Sequence, residues 1–64
     1  MTKVIYVQPD YMFEQDWFES LSDEEKLHVA KNENEMEVYT LENFQYAFNE
    51  ERISDLGFIY FVTI

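Results

Sequence analysis

The chain has no cysteine, so disulfides and thiolate metal sites are excluded. A single glycine leaves no means of building a glycine-rich phosphate loop. One proline beside 47% hydrophobic residues argues against disorder and against an internal linker. Positive charge is scarce too: four Lys and Arg stand against fourteen Asp and Glu, a net charge of −10. Like charges repel, so nucleic acid and anionic membrane surfaces are disfavoured as direct partners, and a basic protein is favoured. No apolar run approaches the roughly 20 residues of a membrane span. The opening MTKVIYVQPDYM lacks the long apolar stretch and small-residue cleavage site of a signal peptide. A cytoplasmic location is the expectation.

Aromatic residues are plentiful: six Phe, five Tyr and one Trp, 19% of the chain. A protein of 64 residues and 7.8 kDa has a folded surface of roughly 4,400 Å² and a thin core. Large rings bury much area each, which offsets the short length. Residues 1–64 are expected to make one compact acidic domain.

Lys3–Val7 is β-branched and aromatic and is halted at Gln8-Pro9-Asp10, which predicts a strand and a turn. From Met12 to Leu21 the spacing of Phe13, Trp17 and Leu21 predicts the inward face of a helix. Ser22-Asp23-Glu24-Glu25 is a capping box opening a second helix over residues 23–32, with Leu27 and Ala30 inward. Glu35–Tyr39 alternates as a strand. Thr40 caps a third helix over residues 41–51, with Leu41, Phe44, Ala47 and Phe48 as its apolar stripe. Phe58–Val62 is the most strand-like segment and, being apolar on both faces, is expected at the sheet centre.

The expected fold is therefore α+β: a small two-layer domain of order β-α-α-β-α-β, a three-stranded sheet with its helices packed on one face. Parity puts Ile5, Val7, Met36, Val38, Ile59 and Phe61 on the covered face. Tyr6, Tyr39, Phe58 and Tyr60 then share the other face, as an aromatic patch of the kind found at interfaces if no helix crosses over it.

Chemistry-bearing constellations are few. His28, the only histidine, has no ligand set at metal spacing and reads as a surface residue beside Glu24. No serine has nucleophile-elbow glycines around it. Asn32–Glu37 resembles a calcium loop only until its sixth position, where Glu37 replaces glycine. No catalytic residue, metal or cofactor is expected. The alternation Glu33, Glu35, Glu37 would line up three carboxylates on one strand face, about 6.6–6.8 Å apart. These features point to a non-enzymatic module that binds a basic protein partner, in its sharpest form an inhibitor mimicking nucleic acid. The alternative is a small structural or regulatory homodimer joined through the tyrosine-rich sheet face, with the acidity serving solubility alone.

Overall fold

The computed structural model describes residues 1–8 and 13–64. The expected turn at Pro9-Asp10 and the expected helix start at Met12 lie outside the described residues. The elements run β1 (Thr2–Val7), α1 (Gln15–Glu19), α2 (Asp23–Asn32), β2 (Met36–Thr40), α3 (Leu41–Asn49) and β3 (Phe58–Thr63). The fold is α+β, in the expected order, around one antiparallel sheet arranged β2-β1-β3.

The helix starts follow from capping. The Ser22 hydroxyl accepts from the Glu25 N–H at 3.3 Å and donates to the Glu25 carboxylate at 3.0 Å, which is the capping box in full. Thr40 ends β2 and its hydroxyl accepts from the Asn43 N–H at 3.2 Å, so strand passes straight into helix. At the far end of α3 the Arg52 N–H donates to the Ala47 carbonyl at 3.0 Å and the Glu51 N–H to the Phe48 carbonyl at 3.1 Å. That is a Schellman ending with Glu51 at φ 58°, a left-handed position that usually holds glycine.

The layering differs from expectation. The helices do not share one face. Ile5, Val7, Met36 and Val62 pack with Phe18 of α1 and Leu27 and Ala30 of α2. Val4 and Tyr6 pack on the opposite side with Phe44 and Ala47 of α3 and with Ile53. The sheet is thus the middle of three layers. The physical reason lies in β1, whose Val4, Ile5, Tyr6 and Val7 are all buried, so both of its faces need cover.

Two further differences follow from the same cause. β1 rather than β3 is central, because β1 is the strand that must pair on both sides. The parity of β3 is also reversed: its register sets Phe58 opposite Val7 and Tyr60 opposite Ile5. Phe58, Tyr60 and Val62 therefore face α1 and α2, and Ile59 and Phe61 face the α3 side. A strand apolar on both faces offers no contrast by which alternation can choose, so pairing decides.

α1 is shorter than the spacing predicts. A continuous helix from 13 to 21 would have put Phe13, Trp17 and Leu21 on one stripe, but the helix spans only Gln15–Glu19. Phe18 turns inward instead and is fully buried. Its ring meets Phe13 edge-on at 5.6 Å and Tyr60 at 4.9 Å, and Phe13 meets Phe58 at 5.8 Å. The single glycine, Gly57, sits against the Tyr6 ring. A Cβ there would stand 2.7 Å from both the Tyr6 Cζ and its hydroxyl oxygen, so only glycine lets the chain enter β3 over that buried ring.

Candidate protein-interaction surface

The expected aromatic patch is not one surface. Tyr6 is buried under α3, and Tyr39 is half-buried against the same cluster. Phe58 and Tyr60 lie on the other side of the sheet, packed against the α1 and α2 core. The Tyr39 hydroxyl donates to the Glu37 carboxylate. Burial first, then that bond and the Glu37 charge, push the Tyr39 phenol up to about 12. Burial, reinforced by the Glu19 carboxylate, likewise raises Tyr60 above its ordinary value.

The carboxylates Glu33, Glu35 and Glu37 are all exposed, but one strand does not carry them. Glu33 is the C-cap of α2, and its carbonyl accepts from the Met36 N–H at 3.3 Å in a turn. Glu35 precedes β2, its carbonyl accepting from the Gln8 N–H at 3.3 Å. Only Glu37 is within the strand. The evenly spaced row does not form, because the α2 ending occupies the residues the alternation would need.

The structure brings other residues together. Every described carboxylate except Asp23 is exposed, and Asp23 is partly so. They are densest from Glu14 to Glu25, where Glu14, Asp16, Glu19, Asp23, Glu24 and Glu25 occur without a lysine or arginine. In the middle of this stretch Trp17 is 50% exposed. It lines an apolar groove of about 260 Å³ between α1 and α2, together with Leu21, Val29, His28, Glu24 and Glu25. A second, more polar depression of about 480 Å³, lined by Glu14, Gln15, Asp16 and Trp17, also borders the indole.

Sequence periodicity missed Trp17 by assigning it to the core. The signal that could have found it is the run of acids on both sides, since a helix so flanked has little apolar surface to bury. An indole keeps its N–H within reach of water at such a position, whereas the Phe18 ring carries no polar atom and suits the interior.

His28 is exposed on α2. Among the described residues no three His, Asp or Glu side chains gather as a metal ligand set. No helix among them is long and apolar enough to cross a membrane. Compared with known protein families, curated proteins and solved structures, the chain matches none.

Proposed function

We propose that this protein is a non-enzymatic binding module for a basic protein, with Trp17 as the anchor of the contact. The observation that carries the reading is the half-exposed indole on an apolar groove whose rim bears Glu24 and Glu25. Tryptophan anchors dominate interface energetics when they sit over a pocket. Carboxylates around the anchor select a cationic partner and accelerate its approach. The ligand that fits is a segment with an apolar side chain for the groove and lysine or arginine beside it, the cation also able to stack on the indole.

Nucleic-acid mimicry remains the sharpest version of this reading. Its support is the net charge of −10 and not a strand-borne row at Glu33, Glu35 and Glu37. The two versions separate by mutation. Trp17→Ala should weaken binding about 30-fold, equivalent to about 2 kcal/mol. Neutralising Glu33, Glu35 and Glu37 together should weaken binding strongly under mimicry, whereas binding anchored at Trp17 alone should be slowed in association and otherwise kept.

The experiment is capture of partners from a lysate at low salt with elution at high salt, followed by calorimetric titration of each purified basic partner. Trp17 is the only tryptophan, so its emission reports occupation of the groove directly. Salt-sensitive binding that shifts this emission supports the reading. If basic partners bind Trp17→Ala as tightly as the parent, or none binds at all, the reading fails.

A further inference from the structure

The hydrogen bonding on the inner side of β3 defines what its outer side offers. The Met1 amino group donates to the Ile64 carbonyl at 2.8 Å and the Ile64 N–H donates to the Met1 carbonyl at 3.0 Å. By the alternation of an antiparallel ladder, Val62, Tyr60 and Phe58 also turn their backbone groups toward β1. Ile59, Phe61 and Thr63 turn theirs outward. The Thr63 N–H is taken, donating to Asp23 Oδ2 at 2.9 Å. Among the described residues, nothing takes the N–H and C=O groups of Ile59 and Phe61.

Apart from the Asp23 carboxylate at Thr63, the same edge is neutral and apolar. Leu56–Ile64 is the longest uncharged run in the chain, nine residues. Phe61 is 62% exposed, beside Phe44 at 6.4 Å, because α3 lies over β1 and β2. The other sheet edge is unlike it. On β2 the Met36 N–H is occupied by the Glu33 carbonyl, and Glu37 places a charge on the strand.

We propose that the outer edge of β3 pairs antiparallel with the same edge of a second copy of this chain, extending the sheet to six strands. Ile59 of each copy would lie opposite Phe61 of the other. That register uses the four open backbone groups of each chain and leaves the Asp23 bond to Thr63 intact. Antiparallel pairing of a strand with itself needs only a two-fold axis, which passes here at Tyr60. Charge identifies the occupant. Two chains of charge −10 repel over most of their surfaces and least along this uncharged run, where a basic partner would also gain least Coulomb attraction.

Sedimentation across a range of concentrations tests the pairing. The expected result is a discrete species of twice the 7.8 kDa chain mass, favoured at high salt as the remaining repulsion is screened. Phe61→Lys, at an exposed position, should sediment as a monomer with an unchanged circular dichroism spectrum. On the parent chain, amide exchange at Ile59 and Phe61 should slow as concentration rises, while Tyr60 and Val62 stay protected throughout. A monomer at every concentration and salt would overturn the proposal, as would concentration-independent exchange at Ile59 and Phe61. Binding of a basic partner at Trp17 weakens with salt and should survive Phe61→Lys, so the two surfaces fail or succeed independently.

Discussion

Tyr39 couples a half-buried ring to a surface carboxylate, and the coupling has a sign. A free tyrosine ionises near pH 10, whereas in the fold burial and the Glu37 charge push Tyr39 up to about 12. Between those values the native chain holds a proton that the unfolded chain has lost, so stability falls as pH rises through that window. Below it the contribution is complete. Tyr39→Phe removes the titrating group. Its urea midpoint should therefore decline less steeply than that of the parent from pH 10 to 12, and equal slopes would show that the phenol is unshifted. At the same scale Trp17 and Phe18 divide the work of α1, one facing water and one the core. Their order was hidden because adjacent aromatics read alike until the helix phase is known.

At the scale of elements, local chemistry was the legible part. The capping box at Ser22 and the cap at Thr40 marked the starts of α2 and α3, because each needs only a hydroxyl three residues from a free N–H. The strand segments were legible from their β-branched and aromatic residues. Partnering was not: which strand lies between two others, and which face each helix covers, depend on contacts between distant residues. β3 shows this best, since FIYFVT is apolar at nearly every position and either parity buries similar area. Glu51 marks a strain of the opposite kind, a sequence choice that opposes local geometry. Left-handed backbone costs a side-chain-bearing residue about 1–2 kcal/mol. Glu51→Gly should stabilise the fold by about 1 kcal/mol, seen as a higher urea midpoint with an unchanged slope.

For the whole molecule, the folded surface of 4604 Å² carries a net charge of −10, and exposed carboxylates are distributed around it. Self-repulsion of that size opposes compaction. Added salt should therefore raise the melting temperature of the isolated chain, measured at a protein concentration low enough to keep it monomeric. A melting temperature indifferent to salt would show that the charges are too dispersed to matter. The candidate site was partly legible at this scale: net charge set the sign of the proposed partner, but did not point to the groove proposed to receive it. The groove arises from the early end of α1 and the capped start of α2, which together set Trp17 and Leu21 beside Val29.

The central place of β1 also carries a temporal consequence. One of the two strands that flank it ends at Thr63, so the first strand to be synthesised waits for the last before its second ladder can close. A nascent chain emerging from the ribosome can form α2 and dock β2 early. Its β1 keeps one open side until β3 appears, and native contacts spanning nearly the whole sequence slow the final step. Completion of this fold therefore waits on the emergence of β3, however early β1 is made.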